Sequence, residues 1–182
     1  MQKTVLRFGL AAGAILATMV ALIPLMTSWG TDFEHSETVG YSSMVLSFLL
    51  VFFGVRSYRD NVAGGVIGFG KAFQVGILIT LVACAMYVIS WEIVYFNFFP
   101  NFMDHYSAHV LEKMRAAGES EAAIREQTAK MADLARLYTN PLFNIGMTFL
   151  EVFPVGLIMT LVSAAILRRK TPKDAPASAV PA

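Results

Sequence analysis

Charge is scarce in this sequence and cysteine is almost absent. Charged residues make up 15% of the chain, against about 25% in an ordinary soluble protein, and they cluster, so long stretches carry almost none. The single cysteine, Cys84, lies in an apolar run and excludes both an internal disulfide and a cysteine-based zinc site. A net charge of +1, with no basic patch interleaved with aromatics, excludes the electrostatic footprint of a nucleic-acid partner. Also missing are Gly-x-Ser-x-Gly, a phosphate loop, His-Glu-x-x-His and a dinucleotide fingerprint. The glycines between positions 64 and 70 follow a helical pattern rather than a strand and do not fit a phosphate-binding spacing. No cofactor is expected.

What the chain has in abundance is apolar length. Hydrophobic residues make up 56% of its 182 positions, enough for one domain. A transmembrane helix needs about 20 mostly apolar residues to cross roughly 30 Å of hydrocarbon, and four segments qualify. They run over 5–26, 39–55, 72–99 and 142–167. The first carries no charge after Arg7, the second none, the third only Glu92 and the fourth only Glu151. The expected fold is therefore all-α, a polytopic membrane protein of four spans. Lys3 and Arg7 before an apolar run also suit a secretory signal. The run is longer than a signal h-region, however, and ends in Thr27-Ser28-Trp29, so a retained helix with Trp29 as interfacial anchor is expected. The aromatics around Trp91 and Phe96–Phe99 read as interfacial belt in the same way.

Positive charge sets the orientation. Lys3, Arg7, Arg56, Arg59, Lys71, Arg168, Arg169, Lys170 and Lys173 are nine of the fourteen Lys and Arg. They flank the N-terminus, the second connection and the tail. The first connection, 27–38, holds none, and the third, 100–141, dilutes five among six acids. Both termini and the short basic loop are thus expected in the cytoplasm, which requires an even number of spans.

Lipid gives no hydrophobic drive for helix association, so small residues must let helices approach. Gly9, Gly13, Ala17 and Ala21 form one four-residue stripe; Ala72, Gly76, Thr80 and Cys84 form a second, and Gly156, Thr160 and Ala164 a third. They point to helix–helix contact, within the chain, in a homo-oligomer or with a membrane partner. The segment 56–70, rich in glycine beside Asp60-Asn61, reads as a turn. Pro100 breaks the third span. Beyond it, Phe102, Tyr106, Val110 and Met114 form one helical stripe; Ile124, Met131, Leu134 and Tyr138 form another after Gly118, with Ser120 as cap. An amphipathic helical hairpin over 100–139, on the outer side between the third and fourth spans, is expected. Asn140-Pro141 starts the last span, and 171–182, rich in Pro and Ala, is expected to be disordered.

Ionisable groups within a span are costly and mark functional candidates. At about 1.5 Å per residue, Glu92 and Glu151 are expected to lie roughly 10 and 15 Å below the outer ends of antiparallel helices. They suggest a shared proton, a relay, or a cation site with Tyr87, Tyr95 and Asn144. A neutral glutamate bonding a neighbouring helix explains them as well. His105, His109 and Glu112 fall within about 60° of one another on a helix face, a spacing that a metal can bridge. Glu34, His35 and Glu37 add potential ligands from the first connection. Solvated histidines fit this pattern without any metal.

Particular strings carry a resemblance. Phe52-Phe53-Gly54-Val55-Arg56-Ser57-Tyr58-Arg59-Asp60 precedes Gly68-Phe69-Gly70-Lys71-Ala72-Phe73-Gln74-Val75-Gly76. Asn140-Pro141-Leu142-Phe143 and Thr148-Phe149-Leu150-Glu151-Val152-Phe153-Pro154-Val155-Gly156-Leu157 follow. Together they resemble the bacterial domain-of-unknown-function family 4199, over about residues 3–170. The resemblance implies a small four-helix inner-membrane protein and brings no reaction, substrate or catalytic residue. Its most specific part is the Gly-x-x-Ser-Tyr-Arg-Asp string, and Arg56, Ser57, Tyr58, Arg59, Asp60 and Lys71 are the matching positions. They suit an anionic lipid headgroup or an ion-paired turn, and Arg59 beside Asp60 favours the turn.

Three functional readings follow. The first is a non-enzymatic structural or accessory membrane component. The second is a proton- or cation-coupled transporter component using Glu92 and Glu151. The third is a lipid-modifying enzyme using the outer histidines and acids.

Overall fold

The computed structural model describes residues 1–28 and 33–169, with side chains over 1–24 and 38–169. It contains six helices and no strand among these residues: α1 (Gln2–Ser28), α2 (Phe33–Asn61), α3 (Phe69–Asn97), α4 (Phe102–Ala116), α5 (Glu121–Tyr138) and α6 (Pro141–Leu167). Four stretches are long and apolar enough to cross a membrane: Gln2–Pro24, Thr38–Asn61, Phe69–Asn97 and Pro141–Leu167. Trp29, the Glu34, His35 and Glu37 side chains and the 171–182 tail lie outside the described residues.

The α2 helix runs further than hydropathy predicts. Arg56 to Asn61 were expected in the turn, yet they continue the helix. Arg56 and Asp60 pair one turn apart at 3.7 Å, and Asn61 Nδ2 donates to the Ser57 carbonyl at 3.0 Å. Such local pairs support a helix whose side chains are hydrophilic. The turn proper is compressed into 62–68, where Gly64 (φ 65°) and Gly65 (φ 85°) take left-handed geometry open to few other residues. Close by, the Arg169 amide donates to the Ile67 carbonyl at 2.9 Å, tying the end of α6 to this turn.

Both α1 and α6 pack on α2 and α3, the α1–α3 and α3–α6 interfaces being the most extensive. The interior is filled by Leu16, Val20, Phe48, Val51, Val55, Val75, Ile79 and Val152. Outward stand Leu6, Leu10, Leu46, Ile89, Leu142, Ile158 and Ile166. An apolar surface this extensive belongs against hydrocarbon rather than water.

The small-residue stripes lie where these helices meet. A methyl added at Gly9 would stand 2.7 Å from Val82 Cβ, and one at Gly76 would stand 2.9 Å from Thr160 Cγ2. At Gly156 it would collide with Thr80 and with the Phe48 ring. Helix α4 follows Asn101, and α5 begins where Ser120 Oγ accepts the Ala123 amide at 3.3 Å. Between them Gly118 takes φ 75°, and the two helices pack on each other. Met103 and Ile124 are buried, while Phe102, Tyr106, Leu134 and Tyr138 are half-buried against the core. Asn140 Oδ1 accepts the Leu142 amide at 3.0 Å and so caps α6, with Pro141 opening it.

Candidate functional site

Two sets of neutral polar groups join α3 to α6. In the first, Thr80 Oγ1 and Thr160 Oγ1 are 2.9 Å apart, and Thr80 Oγ1 donates to the Gly156 carbonyl at 3.3 Å. In the second, nearer α4 and α5, Trp91 Nε1 donates to Asn144 Oδ1 at 2.9 Å. Thr148 Oγ1 donates to the same oxygen at 3.2 Å. Asn144 is fully enclosed, at 0% exposure. The indole N–H can only donate, so it fixes the amide with Oδ1 towards Trp91. Asn144 Nδ2 then has no partner, and neither has the enclosed Glu92 Oε1. A buried donor and a buried acceptor without partners are exceptions that a folded chain holds for a reason.

Aromatic rings close this end of the bundle. Trp91 meets Phe102 edge-on, with centroids 4.9 Å apart at 87°. Tyr95 lies 6.2 Å from Tyr138, which stands edge-on to Phe143 at 5.6 Å. Trp91 is therefore no lipid-facing belt residue. It is 8% exposed, and its N–H serves the interior.

The register set by these bonds separates the two glutamates. Trp91 is level with Asn144, and Thr80 with Gly156. Glu92 therefore stands near the level of Phe143, and Glu151 near that of Cys84. The offset is about eight positions, or roughly 12 Å along the bundle. No hydrogen bond joins them, so the expected shared proton has no geometric basis. Glu92 is half-buried and Glu151 exposed along the side of the helices. Of the aromatic candidates, Tyr87 and Tyr95 are both buried. Burial raises the Tyr138 phenol above its ordinary value, and the Glu151 charge adds to this effect.

A match to the family described as Protein of unknown function (DUF4199) extends over residues 7–169. The chain belongs to that family. No curated protein and no solved structure matches it.

The DUF4199 match takes in both polar sets and the charged end of α2. There Arg59 Nε donates to Asp60 Oδ1 at 2.7 Å, with the Arg59 side chain only 11% exposed. Arg56 Nε stands 3.7 Å from the other carboxylate oxygen, Asp60 Oδ2. Tyr58 is buried, and Lys71 Nζ donates to Gln74 Oε1 at 2.9 Å. One acid thus faces two guanidiniums. On α4, the His105 ring lies 5.6 Å from Phe99. Among the described residues no three His, Cys, Asp or Glu side chains converge in a geometry that would hold a metal ion, His105, His109 and Glu112 included.

Sequence reasoning found Asn144 but gave it the wrong partners. It missed Trp91, Thr148 and the Thr80–Thr160 pair as hydrogen-bonding groups. The available signal was a tryptophan near the end of one apolar helix and an asparagine near the start of the next.

Proposed function

We propose that this DUF4199 chain is a non-enzymatic structural or accessory component of the bacterial inner membrane. The observation that carries this reading is the neutrality of the α3–α6 interface. Trp91, Asn144, Thr148, Thr80 and Thr160 hold the helices by uncharged hydrogen bonds, while the two intramembrane carboxylates stand apart. Bonds of this kind fix helices in a membrane without providing a path for protons.

The orientation places both termini and the 62–68 turn in the cytoplasm, with α4 and α5 on the outer face. It rests on the nine positive charges that the sequence puts at the N-terminus, the second connection and the tail. The tie between Arg169 and Ile67 at that same end is consistent with it. There the exposed Arg56 and Lys71 meet anionic headgroups, with Asp60 held between Arg56 and the enclosed Arg59. The lipid bilayer is the first partner, and a second copy or another membrane protein contacts the outward helix faces.

A second reading is favoured by one observation, the unpartnered Glu92 Oε1 and Asn144 Nδ2. These groups suit a component that moves a proton or cation. Vesicles loaded with a pH-sensitive dye separate the two readings. Under an imposed gradient, the purified chain and Glu92→Gln/Glu151→Gln should show the same proton leak. Flux above protein-free vesicles, lost in the variant at equal incorporation, would sink the structural reading.

A further inference from the structure

The turn between α2 and α3 is held from both sides. On one side the Gly65 amide donates to the Arg59 carbonyl at 2.8 Å, and the Ala63 amide to that of Tyr58 at 3.0 Å. On the other, the Arg169 amide donates to the Ile67 carbonyl. Ile67 and Leu167 are both buried in the core at this end, so the tie has a seat on each side. Arg168 and Arg169 follow Leu167 directly and are exposed. Because Ile67 comes two residues after Gly65, Arg169 is carried to the charged end of α2.

The charges gathered there are unequal. From 56 to 71 and from 167 to 169, five basic side chains stand against one acid, Asp60. Asp60 is bonded to Arg59 at 2.7 Å, and that arginine side chain is only 11% exposed. Arg56 is 3.7 Å from the same carboxylate, with its side chain 57% exposed. An exposed pair at that separation is weak, so Arg56 can turn to a stronger acceptor. Phosphate is one, since a guanidinium offers it two parallel N–H donors.

We propose that Arg56 and Arg169 form a site for the phosphate of one anionic phospholipid. Their chemistry takes phosphate from a lipid or from solution, and position decides for the lipid. The exposed Phe53 lies three residues before Arg56, on the same helix face. Ile166, also exposed, lies three before Arg169. Each guanidinium thus stands at headgroup level above an apolar side chain that an acyl chain can cover. Choline and ethanolamine would bring a cation to a cluster already positive, so an acidic headgroup is preferred. The inference rests on the reading that this end meets headgroups, and adds that two named arginines do the holding.

The full chain in mild neutral detergent is titrated with phosphatidylglycerol or phosphatidylcholine, and bound lipid is counted by native mass spectrometry. The unaltered protein should bind phosphatidylglycerol about fivefold more tightly. Arg56→Gln/Arg169→Gln should lose about that factor. Lys3→Gln/Arg7→Gln removes the same charge from exposed positions of α1 at the same end, and should change binding by less than about twofold. Equal losses in the two pairs would overturn the site in favour of diffuse attraction, while the headgroup reading stood. Inorganic phosphate at about 10 mM and constant ionic strength should not displace the lipid. Displacement would assign the arginines to soluble phosphate and overturn the lipid. If the arginine variant does not fold, equal affinity of the unaltered protein for the two lipids overturns the proposal alone.

Discussion

Helix α3 has two interfaces built from the same sequence signal, and they differ in kind. Towards α6 its small residues include hydroxyls, and the contact is closed: Thr80 reaches Thr160 and Gly156, and the Phe48 ring of α2 abuts Gly156 from another side. Towards α1 the small residues are the glycines and alanines of α1 itself, set against Val82 and Met86 of α3. There the contact is close at Gly9 and Gly13 but becomes a groove by Ala17. Small-residue spacing predicts that helices meet; whether the interface closes depends on what the small residues carry. A hydroxyl gives the partner helix a fixed point, whereas a bare methyl gives only proximity.

The sharpest way to break this contrast is to add the same methyl on both sides. Gly156→Ala wedges against side chains of two helices, neither free to withdraw, and overpacking of that kind costs roughly 1–3 kcal/mol. The expected effect is near the top of that range, read as a lower unfolding midpoint in mild detergent. Asn144→Leu comes next, because it leaves the Trp91 N–H without an acceptor. Interhelical hydrogen bonds in membranes average about 0.6 and reach about 1.7 kcal/mol, so a loss of about 1 kcal/mol is expected, together with a shift in tryptophan emission. Gly13→Ala is the mildest. It presses on Met86 of one helix only, beside an open groove into which α1 can move, and less than 1 kcal/mol is expected. If Gly13→Ala proved as costly as Gly156→Ala, the two interfaces would be equally rigid and the contrast would fail.

The four long helices were legible because their signal is local. About 20 apolar residues in a row state a span whatever the neighbours do. The caps at Ser120 and Asn140 were legible for the same reason, since each bond spans two or three residues. The end of α2 was misread because Arg56, Arg59 and Asp60 look like loop residues until their pairing along the helix is seen. Trp91 was misread because burial is a property of the register between two helices, and no single helix carries that information. The relative depth of Glu92 and Glu151 depends on the same register. Depth measured from each helix end ignores the offset that Trp91 and Asn144 impose.

Cys84 is the sole thiol of the chain and is completely enclosed, at 0% exposure. Membrane-impermeant maleimides should therefore leave the natural protein unlabelled, and new cysteines can be introduced one at a time without first removing an old one. Each such variant reports its own side of the bilayer, so the protein comes with a silent background for mapping its own topology.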